Sequence, residues 1–546
     1  MKRKAVAAVL TAVMVASMFT GCGSDNGSSS AKSASAASAA SAANDTVDED
    51  GKVNGIMYQE GLPLVDEGDY TFSIFCDDSS ESGEFIMLDE FKKQTNVDVD
   101  LKIYPYETAT ERLNLDLNSG DYADVIGGWT LSDNAILTYG VNQGVFIPLE
   151  DYFEKYCPNI SAILDLPGVR EKMTAPDGHI YTIPYVCTDT TVGYSPYINT
   201  KWLENVGMSM PTTTDEFEAV LKAFKEQDAN GNGDASDEIP FSTDPNNKHI
   251  EAMAGYFGLP MNKLGIAIQN EKVVYGGVSD TYREFLSWFH KLYAEGLVDV
   301  ELYTQDSSTW EGKGNQDLYG VSIAYGSNEF TGIPAAEERG DFDSMPVLNT
   351  DKDGIWLRDT EGFSVYRTQA VITNKAEHPE IICRWFDNAF ALENGIGCNS
   401  GPVGVIVNKE DDGYHAIDTT TLSEEDQEKY SWGNLWPQSL PKYLPVDFEF
   451  VEEHPMYDEK KATEEAYEAN LTKEIIPSYW IDLDKIDTFS DTNTAIKDFF
   501  EQQQAQFVCG ELDIDNDADW QAYVDGMYSL GLEDWVATQG IEEIAK

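Results

Sequence analysis

The spacing of apolar residues changes from stretch to stretch and predicts alternating strands and helices. "DYTFSIFC", Asp69 to Cys76, alternates and is rich in aromatics, which reads as a strand. A polar loop, "DDSSESGE", follows, and "FIMLDEFKKQTNV" then carries Phe85, Leu88 and Phe91 at helical spacing. "DVDLKIYPY" is the next strand, and "ERLNLDLNSGDYADVIGGW" reads as a helix, a turn and a buried strand over Asp124–Ile126 that ends in Gly-Gly-Trp. Strand, helix, strand, helix, strand is the order of an α/β lobe with parallel strands. In such sheets ligands meet the loops after the carboxyl ends of the strands, which singles out Trp129 and the loop around Ser79 to Glu81.

Farther along, "DGHIYTIPY" is a glycine turn and a strand, and "TVGYSPYINTKWLENVGM" is a strand and a short helix. Thr213 and Glu216 form a capping-box pair, and Phe217, Val220, Leu221 and Phe224 recur at helical spacing behind them. "VSDTYREFLSWFHKLYAEGLVD" is an amphipathic helix stopped at Gly296. "YGVSIAYGSNE" is a strand and a loop, "GFSVYRTQAVITN" a strand and "AEHPEIICRWFDNAF" a helix. The C-terminal stretch from Gly510 holds two helices with a glycine break, and no internal repeat is evident.

The first apolar run has a different character. Lys2, Arg3 and Lys4 precede Ala5 to Phe19, a stretch too short for a permanent membrane span. Thr20, Gly21 and Cys22 follow. This resembles the lipobox of bacterial lipoproteins, with Phe19 in place of the usual leucine, so residues 1–21 are expected to be a signal peptide and Cys22 a lipidated N-terminus. Two or more acyl chains make a stable anchor, since each buried CH₂ contributes about 0.8 kcal/mol. Residues 22–68 are expected to be the anchor and a disordered tether, with a root-mean-square span of roughly 25–35 Å for its Ser- and Ala-rich part. The folded body is expected from Asp69.

Charge narrows the partners. The 546 residues carry a formal net charge of −61, which excludes nucleic acid and argues against an anionic ligand. Removing Cys22 from the seven cysteines leaves six scattered ones without a CxxC, so neither a zinc ribbon nor a redox motif is indicated.

One loop carries metal chemistry. In "DANGNGDASDE", residues 228–238, Asp228, Asn230 and Asn232 alternate, Gly233 takes the sixth place and Asp234 the seventh. That is the first half of an EF-hand calcium loop, with oxygen ligands at positions one, three and five and a backbone carbonyl at seven. Asp237 and Glu238 fall at positions ten and eleven and Ile239 at twelve, so the closing carboxylate comes early. The expectation is a structural Ca²⁺ site, against the alternative of a polar Asn-Gly turn. "DIDNDAD", Asp513 to Asp519, alternates in the same way but lacks the glycine, and reads as a turn before a helix.

Taken together, the lipobox, "DGHIYTIPY", "NTKWLENVGMSMPTTTDEF", the calcium-like loop before "EIP" and the C-terminal "ELDIDNDADWQAYV" with "LGLEDW" resemble the extracellular sugar-binding lipoproteins of bacterial ABC importers. The resemblance implies an α/β, two-lobed periplasmic-binding-protein-like fold with a hinge and an interlobe ligand cleft. It implies lobe one over residues 69–188 and 346–405 and lobe two over 189–345 and 406–546. The chain is expected to cross near Cys187–Thr191 and to return near Met345–Leu348. It also implies a monomer held on the outer face of the cell membrane, a permease as partner and an oligosaccharide as cargo.

Sugars present apolar C–H faces and hydroxyl rims, so their sites need flat aromatic platforms and short carboxylate partners. Candidate platforms are Trp129, Tyr185, Trp310, Tyr325, Trp356, Trp432 and Trp436, and candidate hydroxyl acceptors are Asp189 and Glu81. The rival readings are a glycoside hydrolase, a surface glycan-binding protein without a transporter, and a binder of peptides or other solutes. No HExxH, GxSxG, GxxxxGK[ST] or GxGxxG motif appears, which weighs against an enzyme.

Overall fold

The computed structural model describes residues 45–78, 84–245, 249–332, 341–445, 448, 450–451 and 455–545. The leader, Cys22 and Glu81 lie outside the described residues.

Lobe one is built on a five-stranded sheet. β1 (Tyr70–Asp77) pairs in parallel with β2 (Val97–Tyr104) on one side and β3 (Val125–Gly127) on the other. The crossovers are α1 (Ile86–Thr95) and α2 (Tyr106–Ser119). The second crossover doubles back over β1, so right-handed connections place the two helices on opposite faces. Their buried residues separate accordingly. Phe91 packs in the core that holds Phe72, Ile74 and Trp385, while Leu113 and Leu117 pack with Phe75 and Ile126. β4 (Thr182–Thr188) completes the sheet, joined to β3 through an antiparallel strand contributed by a later segment.

Lobe two holds a four-stranded sheet. β5 (Ser195–Asn199), β6 (Ile239–Thr243), β7 (Tyr319–Ala324) and β8 (Phe342–Ser344) lie in the order β8-β5-β7-β6. Helices α3 (Thr214–Glu226) and α4 (Asp280–Ala294) bury Phe217, Leu221, Phe224, Phe285 and Phe289 in its core. The Thr213 hydroxyl accepts the Glu216 N–H at 3.2 Å. The Glu216 carboxylate reaches back to the Thr212 N–H at 2.9 Å, one residue before the capping-box position.

The chain first leaves lobe one between β4 and β5, over residues 189–194. The return comes later than the sequence suggests. Met345, Val347, Leu348 and Trp356 still belong to the lobe-two core, and β9 (Phe363–Ile372), the antiparallel strand of the first sheet, begins only at Phe363. The apolar residues between Met345 and Trp356 have no regular period, and they are held by loop bonds such as Gly354 N–H to Asn349 Oδ1 at 2.9 Å. Two other boundaries also shift. Val53, Met57, Leu64 and Val65 are buried in lobe one, so the body reaches back at least to Val53, well before Asp69. Residues 406–443, expected in lobe two, pack on lobe one with α5 (Pro379–Ala389): Trp436 and Leu440 lie in its core, and Tyr443 packs against it and bridges to Val186. Only with α6 (Pro455–Tyr467) and α7 (Ile486–Cys509) does the chain supply lobe two again. Among the described residues no helix is long and apolar enough to cross a membrane.

Candidate functional site

The two lobes meet at Asp189, the first residue after β4. Its carboxylate accepts the Tyr325 hydroxyl at 3.2 Å from lobe two. From β9 of lobe one it accepts the Ser364 hydroxyl at 2.5 Å and the Tyr366 hydroxyl at 3.4 Å. It also takes the N–H of Thr190 at 2.8 Å. One carboxylate on the crossing segment thus gathers donors from both lobes.

Lobe one supplies an aromatic wall. Tyr185 and Tyr366 sit on paired strands and stack at 5.5 Å with a 25° interplanar angle. Trp129 meets Tyr366 edge-on at 5.3 Å. Trp129 stands at the carboxyl end of β3 because Gly128 has φ 134°, and a Cβ there would lie 2.3 Å from an Asp77 carboxylate oxygen. Asp77 fixes the turn by accepting the N–H of Trp129 at 3.0 Å and of Thr130 at 2.6 Å, while burial raises its pKa. The indole itself is 46% exposed.

Lobe two faces it with Tyr325, Tyr194 and His249. Tyr194 stacks on His249 at 4.1 Å and meets Tyr325 edge-on at 6.0 Å. Burial lowers the His249 pKa to about 4, so the ring is neutral at pH 7. The Lys460 ammonium from α6 lies 3.8 Å from the Tyr325 ring centroid and donates to the Gly193 carbonyl at 2.7 Å. Burial pulls its pKa down to about 8. Glu329 accepts the Tyr325 N–H at 2.9 Å, and burial pushes its carboxyl up to about 7. Glu464 of α6 accepts the N–H and hydroxyl of Thr191 at 2.6 and 3.0 Å, so α6 grips the crossing segment directly. The arrangement offers ring faces, neutral polar groups and a hydroxyl-binding carboxylate, which is the chemistry for holding a neutral polyhydroxylated ring.

A model of the family described as bacterial extracellular solute-binding protein matches residues 78–395. The chain belongs to that family. It is 31% identical over 411 residues to the fructooligosaccharide ABC transporter substrate-binding protein FusA of Streptococcus pneumoniae serotype 4, which spans 73% of this chain and 70% of FusA. A solved structure of the S. pneumoniae FusA protein in complex with kestose matches with a TM-score of 0.76 at 26% identity, over 86% of this chain and 98% of that one. The EF-hand mutant of that protein in complex with fructo-nystose matches with a TM-score of 0.75 at 27% identity, over the same shares of the two chains. The α/β, two-lobed fold expected from the sequence is that of these solute-binding proteins.

Within this solute-binding chain, the structure brings together four of the residues singled out from the sequence, Trp129, Tyr185, Asp189 and Tyr325. Trp432 is 56% exposed and stands on a separate loop of lobe one. Three other tryptophans need correction, because protein atoms already cover their faces. Trp310 is 3% exposed and packs on Phe330, with its Nε1–H donated to Ser322. Trp356, at 2%, lies between Tyr256 and Tyr467 in the lobe-two core. Trp436 is fully buried against Phe91 and Trp385. Sequence reasoning missed Tyr194, His249, Tyr366 and Lys460. Tyr366 carried a signal, since it alternates on a strand paired with the one bearing Tyr185.

The loop 228–238 has the donor set of a cation site. Asp228 Oδ2 accepts the Gly233 N–H at 2.9 Å, and Asn230 and Asn232 accept the N–H groups two residues on. The Asp234 carboxylate accepts the N–H and hydroxyl of Ser236 at 3.1 and 2.6 Å. Asp228 Oδ1 and Glu238 Oε2 are buried without a hydrogen-bond donor, a costly state for two carboxylate oxygens that a hard divalent cation relieves. The residues present therefore fit Ca²⁺. The second acidic run behaves as a turn: Asp513 accepts the Asp515 N–H at 3.1 Å just before the helix Asp517–Ser529.

Proposed function

We propose that this protein captures a neutral oligosaccharide between the Trp129–Tyr185–Tyr366 wall and the Tyr325–Tyr194 wall and releases it unchanged to an ABC permease. A fructooligosaccharide is the first cargo to test, because that is what the FusA relative is named for. The observation that carries the reading is the Asp189 carboxylate, which takes hydroxyls from both lobes where a hinge would close. The charge of −61 supports a neutral ligand. Loop 228–238, with Asp228, Asn230, Asn232, Asp234, Asp237 and Glu238, holds a structural Ca²⁺ in this reading. Cys22 carries the lipid that keeps a monomeric protein on the outer face of the cell membrane, and Cys22→Ala releases it into the medium.

Thermal unfolding of the soluble body against mono- and oligosaccharides tests the reading. A ligand that binds only the folded state stabilises it by about 2.7 kcal/mol at a hundredfold excess over Kd. The expected result is a rise in melting temperature for one sugar class, with the sugar recovered intact. No rise with any sugar, or recovery of cleaved sugar, contradicts it.

A further inference from the structure

Trp129 and Trp432 are the two strongly exposed tryptophans among the described residues. A large aromatic surface left in water loses the stabilisation that burial provides, so its cause lies in what it meets. Both are fixed to the same strand end. Asp77, the last residue of β1, takes the N–H groups of Trp129 and Thr130 on its carboxylate, and its carbonyl accepts the Ser439 hydroxyl. Asp78, the next residue, accepts the Gln438 N–H at 2.7 Å. Gln438 in turn donates through Nε2 to the Trp432 carbonyl at 2.9 Å. Two tryptophan loops far apart in sequence are thus pinned by consecutive residues at the carboxyl end of β1, where ligands of α/β sheets collect.

The second loop has a further peculiarity. Lys442 is 2% exposed, yet none of the ion pairs among the described residues includes it. Its ammonium donates to Gln438 Oε1 at 2.8 Å and lies 5.5 Å from the Trp432 ring centroid. Keeping an ammonium out of water without a contacting carboxylate is costly; burial lowers its pKa to about 8, and the charge of Asp78 offsets only part of that. Here the lysine braces Gln438, which holds the Trp432 backbone, and it attends the ring itself. The buried lysine and glutamine form a support for one exposed indole.

We infer that Trp432 is the platform of a distal subsite for a neutral sugar unit, positioned by Gln438 and Lys442, and that it makes affinity depend on oligosaccharide length. This rests on the sugar-binding reading above. Short ligands occupy the Trp129 subsite alone, and longer ones reach Trp432 as well.

The test is calorimetric titration of the wild type, Trp432→Ala and Trp432→Phe with size-graded inulin-type fructans, from kestose upward, and with parallel β-1,4- and α-1,4-linked series. The exposed ring makes the variants safe to fold, and unchanged melting temperatures verify it. The expected result is that Trp432→Ala leaves kestose affinity within about twofold and weakens the longest bound member about tenfold or more, with Trp432→Phe in between. Equal loss at every length, or loss at none, overturns the inference while leaving sugar binding intact. Wild type that binds no member of any series overturns the sugar reading and the inference with it.

Discussion

The Tyr325 hydroxyl donates to Asp189 Oδ1 at 3.2 Å, joining the end of β7 in lobe two to the segment that has just left lobe one. Ser364 and Tyr366 tie the other oxygen of the same carboxylate to lobe one. The bond is therefore made only when the lobes are close. A hydrogen bond to a charged group contributes about 1.5–3 kcal/mol. Tyr325→Phe removes the donor and leaves Asp189 its other partners, so the closed state is expected to lose roughly tenfold or more in population. Small-angle scattering should show a larger radius of gyration and calorimetry a weaker solute affinity, with little change in melting temperature. A variant that closes and binds as the wild type does contradicts this role.

The calcium loop makes a separable prediction. Asp228 Oδ1 and Glu238 Oε2 are buried without donors, so the folded state gains by binding a cation there. A chelator is expected to lower the melting temperature of the wild type by several degrees. Asp228→Asn with Glu238→Gln should melt at one temperature with or without chelator. A wild type insensitive to both chelator and added Ca²⁺ removes the site.

Glu329 makes stability depend on pH. Burial raises its carboxyl from 4.5 to about 7, so between those values the folded protein holds a proton that the unfolded chain has released. Stability contributed by this group falls as pH rises through that window. Glu329→Gln fixes the neutral form and still accepts the Tyr325 N–H. The variant should match the wild type near pH 4.5 and exceed it by roughly 1–3 kcal/mol at pH 7 and above. Equal melting temperatures at both ends contradict the buried, proton-holding carboxyl.

The tryptophans separate platform from core. Trp356 is enclosed by Tyr256 and Tyr467, and Trp356→Ala is expected to cost about 3–5 kcal/mol of unfolding free energy by leaving a cavity. Trp129→Ala removes a ring that is 46% exposed and should cost under about 1 kcal/mol. Denaturant unfolding of the pair checks the ranking, and a reversed order would move Trp129 into the core.

That contrast also marks what the sequence discloses. Long elements with a clean period were readable: β1 alternates, α3 and α4 carry apolar stripes at helical spacing, and Trp129 follows a Gly-Gly turn at a strand end. Trp356 and Trp436 sit in irregular segments, and Trp310 on a helix, Ser307–Asn315, that has almost no other apolar residue, so local sequence does not say which side of a ring the distant chain will cover. The core residues Val53 and Met57 stand singly, and Leu64 and Val65 as a pair, between glycine turns at Gly51, Gly55, Gly61 and Gly68, in pieces too short for a period to show. Helix α7 is mostly polar over its 24 residues and buries a narrow stripe including Ile496, Phe500 and Phe507, so its existence depends on the lobe it packs against. Lys460 and Lys442 act through partners hundreds of residues away in sequence or through a fold-imposed burial, neither of which leaves a motif.

The decisive measurement for sugar capture at the interlobe wall is calorimetric titration of Trp129→Ala beside the wild type, with the saccharide that most raises the melting temperature. Trp129 touches both tyrosines of the lobe-one wall and is partly exposed. The variant is expected to melt as the wild type does and to bind that sugar at least about tenfold more weakly. A Trp129→Ala protein that binds the sugar with wild-type affinity would place the ligand elsewhere and contradict the site.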